Sequence, residues 1–538
     1  MKKLPIGIQN IKEILEEDQV YVDKTQFALN LIKNGKHYFL SRPRRFGKSL
    51  FLNTLEEIFK GNKELFRNCE IYKSNYKWEK HPVVHLDFSQ IESKTPEDLE
   101  NDLKEILQEI AAIYKIPIDG PSLKSQLRKL MAGLAKENSV VVLVDEYDQP
   151  IINHLKNPEI AEKNRTLLKN FFSALKGLDR YLEFTFITGI SKFSQVSLFS
   201  GLNNLKDITL DSRYAGMMGY TQEELKRYFS EHIESVVQNR KENGSPTTKN
   251  DIFDEIRTWY NGYRFSRAEI CVYNPFSTLN YMDEKEVKTY WYSSGTPSFL
   301  IDELKKHHKS MIPLDGAIAR EDELTDINSL EDVDLKALMY QTGYFTIQDY
   351  NQISNRYHLG LPNEEVRTAF MNSLVKNFTK NIDLRSSEKF VKALENHQLN
   401  VLFDEVKIGF ASFAYQVFAG AKERTYHAMI LSMLYGMGFE PLSERSTNTG
   451  RIDVVLEMQK STYIIELKLD SNPEIALEQI RKKEYFKPYT HKGKEIVIVG
   501  ANFSSEKRNI SDWKGELLSE NGSSIKNLSP EKTLKKSV

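Results

Sequence analysis

The feature that most constrains the fold is a strand, loop and helix pattern around residues 41–49, whose sequence is SRPRRFGKS. A short apolar run precedes this segment, and apolar residues at helical spacing follow it. In this order the backbone N–H groups of the loop and the N-terminus of the helix bind phosphate oxygens. Lys48 is expected to neutralise the β- and γ-phosphates, and Ser49 to ligate Mg²⁺. The segment therefore predicts a phosphate-binding loop.

The loop departs from the full GxxxxGK[ST] pattern because Arg42 stands where a glycine is expected. A side chain at this position restricts positive φ angles. Arg42, Arg44 and Arg45 could instead contact phosphate directly, since guanidinium groups bind phosphate oxygens. Taken alone, the segment also fits an ordinary helix that begins with GKS.

A second strand ends in two acidic residues. Residues 139–146, SVVVLVDE, form a continuous apolar run of the kind found in buried parallel strands. Ligands of open α/β sheets bind at the carboxyl ends of such strands. Asp145 would hold the Mg²⁺ of a nucleotide, and Glu146 would polarise the attacking water. The alternative is that an acidic pair simply ends the strand in solvent.

Composition limits the class of protein and its compartment. The chain of 538 residues has 40% hydrophobic and 28% charged residues, as globular proteins do. A net charge of −1 gives no overall attraction to nucleic acid or membrane, so any such surface must be local. The two cysteines, far apart in sequence, argue for a reducing compartment. Without a signal sequence or a run of about 18 apolar residues, we expect a cytoplasmic protein with no membrane association.

Near the C-terminus, two strand-like runs bring acids and a lysine together. If Gln459 and Lys460 form a hairpin turn, Asp453 lies opposite Glu466. Carboxylates on facing residues are close enough to share one cation. Lys468 is two residues after Glu466 and therefore projects from the same face. Such a cluster binds Mg²⁺ or Mn²⁺ and acts on phosphodiesters, although a solvated strand face gives the same letters.

Segments on either side of the hairpin supply further polar groups. Residues 423–435 predict an amphipathic helix on which Glu423 and His427 lie one turn apart. His427 fits a packed core position equally well. After the hairpin, Gln479 could orient a ligand or a scissile phosphate, and Lys482 and Lys483 could meet a nucleic-acid backbone.

Two families resemble parts of this chain. Residues 1 to about 280 resemble the predicted AAA-ATPase-like family through the segments RPRRFGKS, VDEYD and TGISKFS. Residues from about 400 to 505 resemble the PD-(D/E)XK nuclease superfamily. The sequence departs from the superfamily pattern in two places. The dipeptide before Asp453, which usually begins with an acid, is Arg451-Ile452. Tyr485 lies six residues after Gln479, whereas the related pattern places a tyrosine four residues after the glutamine.

The resemblances imply roles for particular residues. In AAA-type ATPases a polar residue at the tip of the neighbouring strand contacts the γ-phosphate or the attacking water, and Thr188 or Ser191 fits that place. The residues implied to bind the nucleotide are Arg44, Arg45, Phe46, Gly47, Lys48, Ser49, Leu50, Asp145 and Thr188. Those implied to hold metal are Ser49, Asp145, Glu423, Asp453 and Glu466. Those implied to be catalytic are Glu146, Asp453, Glu466, Lys468 and Gln479.

The expected fold class is α/β, in five segments. Residues 1–210 are expected to form a parallel-sheet ATPase core with a phosphate-binding loop, and 211–300 a helical lid. Residues 301–400 predict a helical connector, and 401–508 an α/β restriction-endonuclease-like domain. The polar residues of 509–538 predict a disordered tail.

We therefore expect a protein that binds and hydrolyses ATP and carries a metal-dependent nuclease-like domain. Nucleic acid is the expected partner, DNA rather than RNA, and a homo-oligomer is compatible with the sequence. One alternative is a nucleotide-switched scaffold whose nuclease fold only binds DNA or another partner. Another is a signalling ATPase with an inert C-terminal module. Intact Asp453, Glu466 and Lys468 favour the nuclease.

Overall fold

The computed structural model describes residues 1–91, 94–155, 157–192, 204–293, 315–325, 334–378, 387–411, 421–436, 439, 441–447, 450–490, 493–519 and 522–530. Within them the chain forms two compact units. The first comprises Met1–Glu303 and Ile318–Glu365, and the second comprises Leu304–Ala317 and Val366–Val538. Among the described helices, none is both long and apolar enough to cross a membrane.

Strands and helices alternate in the first part of the chain. The strands are β1 His37–Ser41, β2 Val83–Asp87, β3 Val140–Asp145, β4 Leu182–Gly189, β5 Lys206–Asp207, β6 Tyr263–Arg264, β7 Cys271–Val272, β8 Asp315–Ala319, β9 Thr346–Asn351, β10 Arg356–Gly360, β11 Leu442–Thr447, β12 Gly450–Glu457, β13 Ser461–Leu469, β14 Glu495–Ser504, β15 Asn509–Leu518 and β16 Ser524–Leu528. The helices are Ile11–Glu16, Thr25–Asn34, Lys48–Phe59, Pro96–Ile113, Leu123–Leu134, Gln149–Ile152, Pro158–Lys176, Gln222–Tyr228, Ser230–Glu242, Lys249–Tyr260, Pro275–Glu284, Tyr290–Ser293, Glu321–Thr325, Leu335–Thr342, Glu364–Phe378, Ser387–Glu395, Leu399–Ala411, Glu423–Gly436 and Pro473–Lys482.

The N-terminal sheet has the strand order β2-β3-β4-β1-β5 among the described residues, and its paired strands are parallel. The predicted α/β architecture with a parallel sheet is confirmed. Buried valines fill β3 because both faces of the sheet are covered. β4 lies between β1, which leads into the predicted phosphate loop, and β3, which ends in the acidic pair. Their carboxyl ends therefore meet at one edge of the sheet.

The described part of the region predicted as a lid, residues 211–293, contains five α-helices and the short strands β6 and β7. A capping box begins helix Gln222–Tyr228, since the side chains of Thr221 and Glu224 accept from each other's main-chain N–H groups. The helices surround an apolar core that also contains Val20 and Val22 from the N-terminal segment. This region therefore packs with the N-terminus within the first unit, and its role as a lid stays a prediction.

The prediction of a helical connector over residues 301–400 is wrong for β8, β9 and β10, which form a sheet with the order β8-β10-β9 among the described residues. β9 and β10 pair antiparallel. Ile347 is buried on one face, and the rings of Tyr350 and Tyr357 lie 4.8 Å apart across the pair. Cross-strand aromatic contacts of this kind stabilise a two-stranded pair.

The second unit contains a sheet with the order β11-β12-β13-β14-β15-β16 among the described residues. β13 and β14 are parallel, and the other neighbours are antiparallel. The predicted disordered tail over 509–538 is therefore wrong for β15 and β16. Trp513 is buried and stacks on Phe403, with ring centroids 5.2 Å apart, and this burial offsets the polar composition. Residues 531–538 lie outside the described residues.

Candidate functional site

The loop after β1 adopts a conformation that does not need glycine at position 42. The left-handed φ angles fall at Arg45 (66°) and at Gly47 (92°), and Arg42 is not among the residues with positive φ. Helix Lys48–Phe59 begins directly after Gly47. The departure from the full glycine pattern is therefore accommodated by the backbone.

Arg42, at the start of the loop, is buried and bonds to main-chain carbonyl oxygens. Its side chain is 1% exposed, and its Nη1 donates to the carbonyl oxygens of Ser41 and Thr209, both at 2.8 Å. The guanidinium carbon lies 4.3 Å from the centre of the Phe265 ring. The expectation that Arg42 contacts phosphate is not supported, because its guanidinium is buried against Thr209 and Phe265.

The other loop residues differ in how much they present to a ligand. Arg44 donates to Gln149 at 3.2 Å, and the exposed Arg45 lies 4.8 Å from the centre of the Phe276 ring. Phe46 is buried edge-on against Tyr263 and Phe265, so only its main chain remains for a nucleotide. Ser49 and Leu50 are half-buried at the start of the helix.

Lys48 lies inside the loop. Its side chain is buried, and Nζ donates to the carbonyl oxygens of Arg42 at 3.1 Å and Pro43 at 3.0 Å. Burial lowers the pKa of Lys48, and the nearby carboxylates of Glu146 and Asp145 oppose this shift. Lys48 thus stands between the loop carbonyls and the acids at the end of β3.

Asp145, Glu146 and Thr188 lie together, as predicted from the sequence. Asp145 Oδ1 accepts from Thr188 Oγ1 at 2.6 Å and from the Glu146 N–H at 3.0 Å. Burial raises the pKa of Glu146, opposed by Lys48. The hydroxyl of Thr188 is fully buried and orients Asp145, so it is not presented to a γ-phosphate as the resemblance implies.

Sequence reasoning missed the part played by Asp148. Its carboxylate is fully buried and accepts from the Ile190 N–H, the Ser191 N–H and the Ser191 hydroxyl, the last two at 2.7 Å. These bonds fix the end of β4 beside β3 and occupy Ser191, the alternative to Thr188. The spacing in VDEYD, with Asp148 three residues after Asp145, is the signal that could have identified it.

An apolar cavity of about 140 Å³ opens beside the loop. Its lining includes Gly47, Leu50, Val22, Met218 and Phe276. It was not predicted, because its walls come from three distant parts of the sequence. Also among the lining residues is Lys24, whose Nζ donates to the Gly216 carbonyl and to Glu224 and so ties the N-terminal segment to helix Gln222–Tyr228.

The C-terminal hairpin has the predicted register. Val454 pairs with Ile465 and Glu457 with Thr462, which places Asp453 opposite Glu466. Asp453 Oδ2 accepts from the N–H of Leu467 at 2.8 Å. The predicted pairing of the two acids across the hairpin is therefore supported by its register.

Glu466 is the centre of this second cluster. It is 1% exposed, and Oε1 accepts from Lys468 Nζ at 3.2 Å and from Gln479 Nε2. Its other oxygen, Oε2, is buried without a hydrogen-bond partner. Burial, reinforced by Asp453, raises the pKa of Glu466 to about 7. Burial alone would lower the pKa of Lys468, but the surrounding carboxylates, Glu466 first, outweigh it and raise that pKa.

Helix Glu423–Gly436 contacts both strands of the hairpin. Glu423 Oε2 accepts from the N–H of Leu469 at 3.1 Å, and His427 Nε2 donates to the carbonyl oxygen of Asp453 at 2.8 Å. His427 is thus a packed residue that also holds Asp453.

The expected metal set of Glu423, Asp453 and Glu466 is not assembled. In the part of the chain that the structure describes, no three His, Cys, Asp or Glu side chains are placed to hold a metal ion by themselves. The Asp453 and Glu423 carboxylates instead accept main-chain N–H groups. The donor chemistry still fits a divalent cation, since the buried Oε2 of Glu466 has no partner, provided that other ligands complete the shell.

Two protein families match separate parts of the chain. A family described as "Predicted AAA-ATPase" matches residues 5–199, and the PD-(D/E)XK nuclease superfamily matches residues 421–513. A protein of Azotobacter chroococcum mcd 1, named "Uncharacterized protein in vnfD 5'region", is 36% identical over 526 residues. The alignment covers 95% of this chain and 98% of that protein.

Proposed function

Because this chain belongs to the family of that full-length relative and joins a predicted AAA-ATPase domain to a PD-(D/E)XK nuclease superfamily domain, we propose that it binds and hydrolyses ATP and cleaves nucleic acid with a divalent metal. DNA is the proposed substrate. One observation supports the proposed ATP binding and hydrolysis: Lys48, Asp145 and Glu146 lie together at one edge of the parallel sheet.

The geometry supports distinct roles at the nucleotide site. Lys48 would exchange its two loop carbonyls for phosphate oxygens, which are stronger acceptors because they are charged. Ser49 and Asp145 would hold Mg²⁺, which neutralises charge on the phosphates when bound. Glu146 has a raised pKa and would take up a proton from the attacking water. The apolar cavity beside Gly47 would take the base.

The C-terminal cluster supports metal-dependent cleavage. Asp453 and Glu466 would hold Mg²⁺ or Mn²⁺, with Glu423 close by, and the bound cation would activate water and polarise the phosphodiester. Lys468 would hold the scissile phosphate. Gln479 donates to Glu466 and would keep that carboxylate aimed at the cation.

A second candidate function is binding without cleavage. It is favoured by one observation: the Asp453 and Glu423 carboxylates are bonded to main-chain N–H groups of β13. In that case the C-terminal domain would recognise DNA or a partner, and the ATPase would switch it between states.

Incubating the purified protein with supercoiled plasmid and with single-stranded DNA and RNA tests both candidates. Each substrate is combined with Mg²⁺ or Mn²⁺, with and without ATP, and cleavage and phosphate release are measured in the same samples. The proposal expects metal-dependent cleavage of DNA and release of phosphate. Retention of DNA on a gel without cleavage, under every condition, would favour the binding candidate.

A further inference from the structure

Two aromatic residues far along the chain touch the nucleotide site. Trp291 Nε1 donates to the carbonyl oxygen of Arg44 at 3.2 Å, so the indole holds the phosphate loop. Phe276 lines the apolar cavity beside Gly47, and the Arg45 guanidinium lies over its ring. Both lie beyond residues 5–199, which match the ATPase family.

One buried carboxylate joins these two aromatic residues. Glu365, in the first turn of helix Glu364–Phe378, is fully buried. Its Oε1 accepts from the Trp291 N–H at 2.7 Å. Its Oε2 accepts from the hydroxyl of Ser277, the residue after Phe276, at 2.8 Å. Glu365 therefore fixes the main chain at Trp291 and the start of the helix that carries Phe276.

Burying a carboxylate at a position that serves only packing is energetically unfavourable. Taking its charge out of water is unfavourable unless several donors surround it. Burial raises the pKa of Glu365 to about 8, although bonds from Trp291, Ser277 and Tyr290 lower it. The contacting groups are neutral donors, and the nearby Tyr260 and Tyr263 hydroxyls are neutral too, since burial raises their pKa values. What the carboxyl group offers in either protonation state, and an apolar residue would not, is hydrogen bonding to two separate segments.

We propose that Glu365 is a positioning residue for the nucleotide site, holding Trp291 against the phosphate loop and Phe276 against the base cavity. The inference rests on the proposed ATP binding. It assigns a role in nucleotide binding to residues 276–291 and 365, which lie outside the phosphate loop and the acidic strand. Glu365 acts through its two neighbours and does not touch the nucleotide itself.

A double-mutant cycle tests this role. ATP affinity is measured by calorimetry for wild type, Glu365→Ala, Trp291→Phe and the double variant. Trp291→Phe removes the indole N–H but keeps the main-chain N–H that Glu365 accepts, and losing one hydrogen bond of about 1 kcal/mol weakens affinity about fivefold. We expect Glu365→Ala to weaken it about tenfold or more, since two segments are released. The double variant should bind ATP no more weakly than Glu365→Ala, because loss of Glu365 already releases the Trp291 contact with the loop.

Two further variants separate positioning from general stability. Glu365→Gln keeps one acceptor oxygen and should recover part of the affinity that Glu365→Ala loses. Glu255→Ala removes a carboxylate that accepts from Arg240 and Tyr281, away from the loop, and should leave affinity unchanged. If Glu365→Ala does not fold, the cycle is run with Glu365→Gln.

Loss of ATP binding in wild type and loss in the Glu365 variants have different meanings. If wild type does not bind ATP, the proposed function fails and this inference falls with it. If wild type binds ATP and the Glu365 variant binds equally well, the positioning role alone is overturned. Independent, multiplicative losses in the double variant would also overturn it.

Discussion

Gly343 packs against Pro43 of the phosphate loop. Replacing Gly343 with alanine should reduce both the free energy of unfolding and the affinity for nucleotide. Gly343 ends helix Leu335–Thr342 with a φ of +88°. A Cβ atom there would lie 2.8 Å from Pro43 Cβ and 2.9 Å from Pro43 Cγ. A proline ring cannot rotate away, so the loop backbone must move. The Pro43 carbonyl is one of the two that bind Lys48.

The magnitude follows from two separate effects. A left-handed φ costs an alanine about 1–2 kcal/mol relative to glycine. Overpacking against Pro43 adds about 1–3 kcal/mol. Gly244→Ala is the matched control, because Gly244 has a φ of +73° and no atom within 4 Å of the added Cβ. Gly343→Ala should therefore lower the free energy of unfolding by about 1–3 kcal/mol more than Gly244→Ala.

Denaturant unfolding of both variants and calorimetric titration with ATP measure these effects. Only Gly343→Ala should weaken ATP binding, since only that change displaces the carbonyl that holds Lys48. Equal losses of stability in the two variants, with unchanged ATP affinity in both, would refute the reasoning.

Four further predictions follow from the two sites. Lys48→Ala should abolish ATP binding in calorimetry, whereas Glu146→Gln should keep binding and slow phosphate release; unchanged binding by Lys48→Ala would contradict the loop assignment. Single replacement of Glu466 or Lys468 by alanine should reduce DNA cleavage while the circular dichroism spectrum stays that of wild type, and persistent cleavage in both would place the active site elsewhere. Because the pKa of Glu466 is raised to about 7, its carboxylate forms as pH rises through 7, so cleavage should increase from pH 6 to 8. The stability that protonated Glu466 contributes is fully present below its unfolded pKa of about 4.5 and is lost as pH rises from there to about 7. A flat rate profile would argue against its role. Finally, DNA and ATP should shift each other's affinity by the same factor, typically about 1–3 kcal/mol, measured with Glu146→Gln protein to prevent hydrolysis, and equal affinities with and without DNA would show two sites that do not communicate through binding.

Much of the fold could be predicted from local sequence patterns. The hairpin register followed from the two polar residues between two strand-like runs, since a short turn leaves one pairing. The parallel sheet followed from apolar runs that end in polar residues. In both cases each element is encoded by a short, continuous stretch of sequence.

Features that depend on distant residues could not be predicted in this way. Arginine is a residue type that binds phosphate, but Thr209 and Phe265 determine where the Arg42 guanidinium lies. β15 has a polar composition, and its burial depends on a partner strand and on Phe403. Glu365 carries no local motif, because its role comes from Trp291 and Ser277.

The metal set shows a further limit. The sequence gives the acids and their facing positions, but not the competing main-chain donors on β13. Leu467 and Leu469 offer N–H groups that bind Asp453 and Glu423, and a periodicity argument contains no information on such bonds.

Removing the Asp453 carboxylate shows whether the hairpin cluster is a metal-dependent nuclease site. Asp453 and the exposed Glu478 are both carboxylates, but only Asp453 belongs to the hairpin cluster, so Glu478→Ala is the control. With Mn²⁺ or Mg²⁺, wild type and Glu478→Ala are expected to cleave DNA, and Asp453→Ala is expected not to. Equal cleavage by Asp453→Ala and wild type, or no cleavage by wild type with either metal, would contradict the account.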